Sequence, residues 1–559
     1  MNKSYKIRTF LIFLIFCTLL VIIGINLFMI QIMQSNFYSN LGKKQYNVTI
    51  TMQPERAPIF DKTGTQFLAI NKDAFSAFIL PKQIKNQDAL HTFLKEHFPD
   101  KIKLLGKNKN KHFMFIQRKL TDSQLQTIKK SNIPDLHLLK EPNRFYPVES
   151  ASTVVGITDI DNNGLSGLEL NYNQKLSGTP TTFFLEKDAR SGYFYFKKET
   201  KIQGQIAQPI TLSIDSNLQF LVAEELKETI KRYNAKEGAI LVVNPDNGDI
   251  VTMVNYPYFD PNNTQSITTH NRKNKVITEC YELGSVIKVF AALAALEEGV
   301  VTKDEIIDCK SKKTTYIDGR KINTVKAHGP ITFSEVVEKS NNIGIAIVAK
   351  RVGEKIYDHY KKIGFGKKTD IDFPAEQRGF INPPHKWSKQ SIISLSYGYE
   401  ISATLLQLAK AFCLIARNGT PISPRLLLSH AKNNTDTAQK NINPKALYSQ
   451  DSIDTIKQIL ENTTLRGTAR RARINGYKVM CKTGTANLLV NGRYSENNNI
   501  FTCAGIIEKD NYKRVIVTFI KEVPSSFING VKRNVYAQSV AVPLFEKVAE
   551  KTLIHDKII

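Results

Sequence analysis

A serine and a lysine three residues apart carry the most chemical content in the chain. Ser285 and Lys288 lie in the segment YELGSVIK, residues 281–288, directly before the apolar run 289–296. This pattern predicts a helix that Ser285 opens, where unpaired backbone N–H groups and the helix dipole stabilise an alkoxide and an oxyanion. Lys288 falls one turn later on the same face. Because the helix is apolar all round, Lys288 must be largely desolvated, which lowers the pKa of its amine toward that of a usable base.

The pair is therefore a candidate nucleophile with its general base. Taken alone, the spacing also fits an N-capping serine and a lysine that extends its amine to solvent. A second segment, KSNNIG at 339–344, lies between two predicted helices. Its spacing points Ser340 and Asn342 in one direction, where a hydroxyl can relay a proton and an amide can hold a substrate amide. A helix cap is the alternative interpretation of this segment.

A third segment, Lys-Thr-Gly-Thr at 482–485, follows a predicted strand at 477–481. Its glycine allows another backbone to approach closely, and Lys482 with two threonine hydroxyls makes an edge that recognises anions and amides. The same tetrapeptide stands at 62–65, on a predicted turn after Asp61 and before Ser285 in the chain. We assign that first copy a structural role only, on a turn separate from the domain that holds Ser285.

Strands and helices that could position these motifs flank them on both sides. Helices are predicted at 217–233 and 536–553, and the segment between the two groups of strands is mostly helical. An antiparallel sheet with helices packed on it accommodates this pattern. The strand signals lie at 210–214, 238–243, 250–255, 477–481, 501–507 and 514–520, and a separate hairpin is predicted at 179–198.

In their order along the chain, Ser-x-x-Lys, Ser-x-Asn and Lys-Thr-Gly resemble the signature of the penicillin-binding proteins and serine β-lactamases. Three residues depart from the family pattern: Leu283 stands where proline is usual, Ile287 replaces a frequent phenylalanine, and Cys481 stands where glycine is usual. None touches a reactive atom, so an active enzyme is expected, with Cys481 a packed thiol. Further segments resemble blocks of the class B penicillin-binding proteins: 56–69, 144–147, 167–178, 211–219, 396–418 and 536–545.

The resemblance implies a monofunctional class B transpeptidase that cross-links peptidoglycan stem peptides through an acyl-enzyme on Ser285. Lys288 would be the base, Ser340 would relay protons, and the backbone N–H groups of Ser285 and Thr485 would hold the oxyanion. Asn342 and Thr485 would grip the donor, and Lys482 with Thr483 its terminal carboxylate. No cofactor or metal is implied. The expected catalytic residues are Ser285, Lys288, Ser340, Asn342, Lys482, Thr483, Gly484 and Thr485.

The N-terminus predicts a membrane anchor. No charged residue occurs from Thr9 to Gly42, and 10–33 is almost wholly apolar and long enough to cross a bilayer. Lys3, Lys6 and Arg8 precede it, so the positive-inside rule leaves about eight residues in the cytoplasm. The predicted domains are a cytoplasmic tail at 1–9, an anchor at 10–33, a mainly β extracytoplasmic pedestal at 34–205 and an α+β transpeptidase domain, with a helical subdomain, at 206–559.

Composition limits the partners. The 559 residues carry 77 Lys and Arg against 51 Asp and Glu, a net charge of +26. The excess is spread along the chain, so we expect no nucleic-acid partner; an anionic membrane or a polyanionic polymer also suits this charge. The six cysteines do not form the close pairs of zinc or redox sites, which favours buried thiols.

The resemblance implies peptidoglycan stem peptides ending in D-Ala-D-Ala, and β-lactams, as ligands. It also implies a polytopic lipid II polymerase and other division proteins as partners, at the bacterial inner membrane. Within the family, the compact region after the pedestal resembles that of the septal, division-type enzymes more than that of the elongation type, which generally has a larger head. The motifs also fit a membrane-anchored D,D-carboxypeptidase or β-lactamase, and a non-catalytic β-lactam sensor, for which the short cytoplasmic tail leaves no output domain.

Overall fold

The computed structural model describes residues 3–52, 54–108, 110–111, 113–187, 194–428, 445–490, 493–524, 526–528, 531–533 and 535–558. Contacts divide the chain into two compact units. The first comprises residues 1–56 and 177–208, and the second comprises residues 57–176 and 209–559.

The first unit contains the predicted anchor. An α-helix over Lys3–Phe28 continues as a π-helical turn, Met29–Met33, and a further helix follows at Ser35–Tyr46. The stretch Tyr5–Met33 contains an 18-residue window with a mean hydropathy of 2.9 and is by length and composition able to cross a membrane. The same unit holds a three-stranded antiparallel sheet that confirms the predicted hairpin, although residues 188–193 of that prediction lie outside the described residues; its strands are Asn47–Met52, Thr181–Lys187 and Phe194–Ile202.

Residues 57–176 belong to the second unit and contain both strands and helices. Residues 86–145 form helices and two strands, because short alternating segments there pair with the long strand Phe67–Ile79. The strands are Ile59–Phe60, Phe67–Ile79, Met114–Gln117 and His137–Phe145. The helices are Gln87–His97, Pro99–Lys107, Asp122–Ser131, Ser152–Val155, Gly167–Asn171 and Asn173–Ser177, with short 3-10 turns at Pro81–Gln83 and Glu149–Ala151.

A five-stranded antiparallel sheet forms the centre of the second unit. Its strands lie in the order Ile250–Tyr256, Glu237–Val243, Tyr512–Lys521, Arg493–Lys509 and Lys478–Val490. Helices Ser216–Tyr233 and Ala537–His555 share one buried apolar core with this sheet. Two short strands, Ile210–Leu212 and Leu427–Leu428, instead extend the sheet that contains Ile59–Phe60. The predicted α+β arrangement of an antiparallel sheet flanked by helices is confirmed.

The predicted helical middle is also confirmed. Its helices are Lys275–Thr278, Lys288–Glu297, Phe333–Glu338, Asn342–Val352, Lys355–Ile363, Ser391–Ser396, Leu405–Ala416 and Gln450–Leu465. Short 3-10 turns occur at Thr264–Ser266, Gly284–Val286, Pro384–Lys386 and Arg470–Ala472. Small two-stranded ribbons pair Ile306–Asp308 with Pro330–Thr332, Thr314–Ile317 with Arg320–Asn323, Phe380–Ile381 with Ile401–Ser402, and Ser526–Ile528 with Val531–Arg533.

Candidate active site

The predicted nucleophile lies on a tight turn. Ser285 is the middle residue of the 3-10 turn Gly284–Val286, and the helix Lys288–Glu297 follows it. Every residue from Lys288 to Ala295 is buried, as the apolar pattern predicts. Ser285 itself is half-buried, and its hydroxyl donates no hydrogen bond to any described residue. The hydroxyl is therefore free to meet a substrate.

The strand Lys478–Val490, hereafter the motif strand, packs directly on this turn. A Cβ atom added at Gly484 would lie 2.5 Å from the Leu283 carbonyl oxygen and 2.6 Å from Val286 Cγ2. Real Cβ atoms do not approach a backbone oxygen that closely, so only glycine fits. The close approach predicted for this glycine is confirmed, and the atoms it meets belong to the turn that holds Ser285.

Lys288 has no exposed surface, and its amine is surrounded by acceptors. Nζ donates to the Ser340 carbonyl oxygen at 2.7 Å, lies 3.2 Å from Ser340 Oγ, and also donates to Asn342 Oδ1. Burial lowers the pKa of this amine well below that of an ordinary lysine, and the nearby charge of Lys482 lowers it further. Lys288 is therefore suited to be a neutral amine, as a base must be.

In the loop before the helix Asn342–Val352, the residue that caps the helix differs from the residues that contact Lys288. Asn341 is the capping residue, since its side chain accepts hydrogen bonds from the Ile343 and Gly344 N–H groups, both at 2.9 Å. Ser340 adopts a left-handed backbone, with φ at 55°, and turns its hydroxyl to Lys288. The helix-cap alternative therefore applies to Asn341, and the residues on either side of it are left for the site.

Asn342 connects the site to a neighbouring ribbon. Its Oδ1 accepts from Lys288, and its Nδ2 donates to the Asn323 carbonyl oxygen at 2.6 Å. These two bonds hold the amide in one orientation. Sequence reasoning missed Asn323, because a backbone carbonyl that orients another side chain leaves no signal in the residue type.

The motif strand differs from its prediction. The expected strand ended at Cys481, with the tetrapeptide 482–485 beyond it, whereas the observed strand runs on to Val490. Polar residues mimic a strand end in sequence, but pairing with Arg493–Lys509 continues through them, with Lys482 opposite Ala504 and Thr485 opposite Phe501. Tertiary pairing therefore overrides the local pattern.

Lys482 is as deeply buried as Lys288. Its Nζ donates to Ser340 Oγ at 3.0 Å and to the Thr483 carbonyl oxygen at 2.9 Å. Burial lowers the pKa of Lys482 to about 7, and the charges of Cys481 and Cys503 oppose this shift. The Ser340 hydroxyl thus lies between two lysine amines, where it can pass a proton from one group to another.

The two threonine hydroxyls are partnered differently. The Thr483 hydroxyl lies 2.9 Å from Thr468 Oγ1, and Thr485 Oγ1 accepts from the Ala537 N–H at 3.3 Å. Thr468 was also missed, since a threonine in the Arg-Gly-Thr-Ala segment after a helix has no distinctive pattern. Cys481 is fully buried in the core, with its sulfur 3.5 Å from Thr464 Oγ1, so the thiol is packed as expected. The structure thus joins Lys288, Ser340, Asn342 and Lys482 by hydrogen bonds and sets Ser285 beside Gly484.

Comparison of the sequence with models of known protein families identifies the family of this chain. A model described as the penicillin binding protein transpeptidase domain matches residues 238–550. The chain belongs to the penicillin-binding protein transpeptidase family. A second model, described as the penicillin-binding protein dimerisation domain, matches residues 51–205. The two matches together are those of a class B penicillin-binding protein, as the sequence motifs predicted.

Individual relatives agree over most of their length. "Peptidoglycan D,D-transpeptidase FtsI" of Buchnera aphidicola subsp. Baizongia pistaciae (strain Bp) is 29% identical, over 99% of this chain and 96% of that protein. "Stage V sporulation protein D" of Bacillus subtilis (strain 168) is 28% identical, over 92% of this chain and 81% of that protein. A crystal structure of penicillin binding protein 3 from Mycobacterium tuberculosis, complexed with aztreonam, superposes with a TM-score of 0.68 at 23% identity, covering 91% of this chain and 98% of that one. This likeness confirms the predicted fold.

Proposed function

We propose that this class B penicillin-binding protein is a serine-type peptidoglycan D,D-transpeptidase of the septal type, which β-lactams acylate. The observation that carries the proposal is the network in which the buried amines of Lys288 and Lys482 both bond the Ser340 hydroxyl, while Lys288 also donates to Asn342. Two buried lysine amines with lowered pKa values and no described carboxylate partner reduce the stability of the fold. Acyl transfer requires such amines, as a neutral base and as a binding group for an anion. The names of the full-length relatives support the same activity and the septal role.

The first half-reaction forms an acyl-enzyme. Lys288 takes the proton of the Ser285 hydroxyl, and Oγ attacks the carbonyl carbon between the two terminal D-alanines of the donor. The backbone N–H groups of Ser285 and Thr485 hold the oxyanion. When the C–N bond breaks, the proton passes from Lys288 through Ser340 to the departing D-alanine amine. Asn342 and Thr485 grip the donor amide during this step.

The second half-reaction transfers the acyl group to an amine. A neutral amine on a neighbouring stem peptide attacks the ester carbon, a C–N bond forms, and the bond to Ser285 Oγ breaks. The proton that the amine loses returns to Oγ through Ser340 and Lys288, so the enzyme ends as it began. Lys482, when protonated, and the Thr483 hydroxyl hold the terminal carboxylate of the donor. Gly484 serves by letting the motif strand approach the turn of Ser285.

The domain organisation completes the proposal. Residues 10–33 anchor the chain in the bacterial inner membrane, with residues 1–9 in the cytoplasm, since Lys3, Lys6 and Arg8 precede the apolar helix. Residues 34–205 form an extracytoplasmic pedestal and 206–559 the transpeptidase domain. A polytopic lipid II polymerase and other division proteins are the proposed partners.

Labelling with a fluorescent penicillin tests the proposal. We expect one covalent adduct per chain, located at Ser285 by mass spectrometry and abolished in Ser285→Ala. Ser334→Ala is a matched control, because this serine lies on a helix outside the network and its hydroxyl bonds the Lys303 carbonyl oxygen. Labelling of another residue, or none in folded protein, would refute the proposal.

A further inference from the structure

A buried carboxylate lies two residues before the proposed proton relay, Ser340. Glu338 ends the helix Phe333–Glu338, and only 1% of its side chain is exposed. Its carboxylate accepts hydrogen bonds from Arg466 Nε at 2.9 Å and Arg466 Nη2 at 3.0 Å, one on each oxygen. Asn462 Nδ2 also donates to Oε1, at 2.9 Å. Parallel bonds from one guanidinium to both oxygens fix the orientation of the two groups more firmly than a single bond does.

The segment 466–468 contacts both the end of this helix and the motif strand. The Thr468 hydroxyl lies 2.9 Å from the hydroxyl of Thr483. Gly467 packs on the helix that carries the carboxylate, since an added Cβ would lie 2.6 Å from the Glu338 carbonyl oxygen. The segment therefore joins the end of the helix to the motif strand.

Backbone bonds to the preceding helix also hold the segment 466–468. The Gly467 and Ala469 N–H groups each donate to the Thr463 carbonyl oxygen at 3.1 Å. These bonds do not involve the side chain of Arg466, which is 63% exposed. Shortening that side chain therefore leaves the segment and its contact with the motif strand in place, and removes only the bonds to the carboxylate.

Ser340 needs support because its backbone is strained and its hydroxyl must meet two groups. A left-handed backbone, with φ at 55°, is unfavourable for serine and persists only where the surrounding structure holds it. The hydroxyl oxygen lies 3.2 Å from Lys288 Nζ and 3.0 Å from Lys482 Nζ. A shift of about 1 Å would lengthen one of these contacts beyond hydrogen-bond distance.

We propose that Glu338 and Arg466 are positioning residues for the acyl transfer. Their ion pair holds the end of the helix against a segment that is fixed to the motif strand. The Ser340 hydroxyl is thereby kept between the amines of Lys288 and Lys482. Neither Glu338 nor Arg466 contributes an atom to the proposed reaction. The proposal rests on the proposed function and adds to it the contacts that hold the proton relay in place.

The rate constants of benzylpenicillin acylation test this. Stopped-flow acylation over a range of drug concentrations separates the apparent dissociation constant of the drug from the rate constant of the chemical step. In Arg466→Ala the chemical step should slow on the order of tenfold, because the relay is displaced. The dissociation constant should change by no more than about twofold, because Lys482 and Thr483 remain on the motif strand. Arg466→Lys keeps the cation and should lose less than Arg466→Ala.

Glu338→Gln tests the other partner. The amide keeps the shape of the side chain but places an NH2 group where Arg466 needs an acceptor, so the chemical step should slow as in Arg466→Ala. Lys339→Ala is the matched control. This cation is next to Ser340 in the sequence, but it pairs with Glu335, one turn earlier, at 2.6 Å, rather than with another element. Its rate constants should stay within about twofold of the wild type.

A double variant shows whether the pair acts through Ser340. Ser340→Ala should slow the chemical step by itself. Adding Arg466→Ala should slow it no further, because the hydroxyl that the pair positions is already absent. A pair that only stabilised the fold would instead lower the fraction of protein that labels, and would leave the rate constants of the folded protein unchanged.

The outcomes separate the two proposals. Failure of benzylpenicillin to acylate folded wild-type protein would refute the proposed function itself. An acylated wild type with a normal chemical step in Arg466→Ala and Glu338→Gln would overturn only the positioning role. So would further slowing by Arg466→Ala in the Ser340→Ala background, or a change confined to the dissociation constant. If Arg466→Ala does not fold, Arg466→Lys takes its place in both comparisons.

Discussion

The tetrapeptide Lys-Thr-Gly-Thr occurs twice, at 62–65 and 482–485, and the two copies have different surroundings. The first forms a turn in which the Asp61 carboxylate accepts from the Thr63 N–H at 2.9 Å and its hydroxyl at 2.6 Å. The second is part of a continuous strand, and its glycine, Gly484, packs on the turn of Ser285. Identical residues therefore carry no fixed function, and the elements around them decide what each lysine can do.

The lysines of the two copies differ most in whether a carboxylate lies beside the amine. Lys62 is 36% exposed and forms an ion pair with Asp215, at 2.7 Å. Lys482 is fully buried, and no carboxylate lies within 4.0 Å of its amine among the described residues. The first lysine is an ordinary structural ion-pair partner, whereas the second is held ready for an anion that must come from outside.

The pairing of Lys62 also corrects one expectation. The first copy was expected to lie on a pedestal turn separate from the catalytic domain. Asp215 caps the helix Ser216–Tyr233, and the Lys62 N–H donates to the Ile214 carbonyl oxygen at 2.8 Å. Residues 57–176 share a compact unit with 209–559. The turn is therefore not separate from the catalytic domain, because a short parallel strand pair joins Ile59–Phe60 to Ile210–Leu212.

The largest expected effect concerns Lys288, the proposed base, whose amine bonds the same Ser340 hydroxyl as Lys482 of the second copy. Replacing Lys288 by arginine keeps a long cationic side chain but removes a neutral amine, since arginine stays protonated. We expect penicillin acylation of Ser285 to slow by about 10²- to 10⁴-fold, the usual range for losing a general base. Stopped-flow acylation measures it, with Lys350→Arg as the control, because Lys350 forms a surface pair with Asp318. Near wild-type acylation in Lys288→Arg would place the base elsewhere.

The two copies can be compared directly with the same substitution. Lys482→Ala removes the cation proposed to bind the drug carboxylate, a contact worth roughly 1.5 to 3 kcal/mol, so acylation should fall by about ten- to a hundredfold. Lys62→Ala should leave acylation unchanged and lower the free energy of unfolding by no more than about 1 kcal/mol, as for a partly exposed ion pair.

Acylation rate constants and urea unfolding of both variants decide this comparison. Equal losses of acylation in the two would show that the turn at 62–65 reaches the active site. An unaffected Lys482→Ala would remove the anion-binding role from the motif strand.

The pKa of Lys482 predicts a pH dependence of acylation that involves the second copy and not the first. With a pKa of about 7, Lys482 is protonated below pH 7 and neutral above it. Because the donor carboxylate binds the protonated form, the second-order rate constant for penicillin acylation should fall as pH rises above 7, approaching about tenfold per pH unit.

Lys482→Arg stays charged, so its profile should lack that alkaline decline, whatever its absolute rate. Lys62→Ala should retain the decline. A wild-type profile that stays flat between pH 6 and 9 would contradict the assignment.

Sequence reasoning predicted the elements better than the contacts between them. The helix expected at 536–553 is observed at Ala537–His555, because a long apolar periodic pattern defines a helix almost by itself. The extension of the motif strand to Val490 was missed, since it depends on pairing with a distant strand. The motifs gave the order of Ser285, Lys288, Ser340 and Lys482, yet the position of Ser340 between two amines joins residues 52 and 142 positions apart. Only the folded chain defines such contacts.

The smallest and most local test uses the glycine of each copy. An alanine at Gly484 would bring Cβ to 2.5 Å from the Leu283 carbonyl oxygen and shift the turn of Ser285. An alanine at Gly64 would meet no atom within 4 Å and would suffer only from the left-handed backbone, where φ is 71°. Gly64→Ala should cost about 1 kcal/mol of unfolding free energy and leave acylation unchanged.

Gly484→Ala should cost about 1–3 kcal/mol, as overpacking does, and should also slow acylation, on the order of tenfold, because the displaced atoms carry the nucleophile. Urea unfolding and penicillin acylation of both variants separate strain from displacement. If Gly484→Ala loses stability but acylates normally, the turn of Ser285 tolerates movement of the motif strand, and the contact between them is packing alone. If Gly64→Ala slows acylation as well, the atoms that surround each glycine do not explain the functional difference between the two copies.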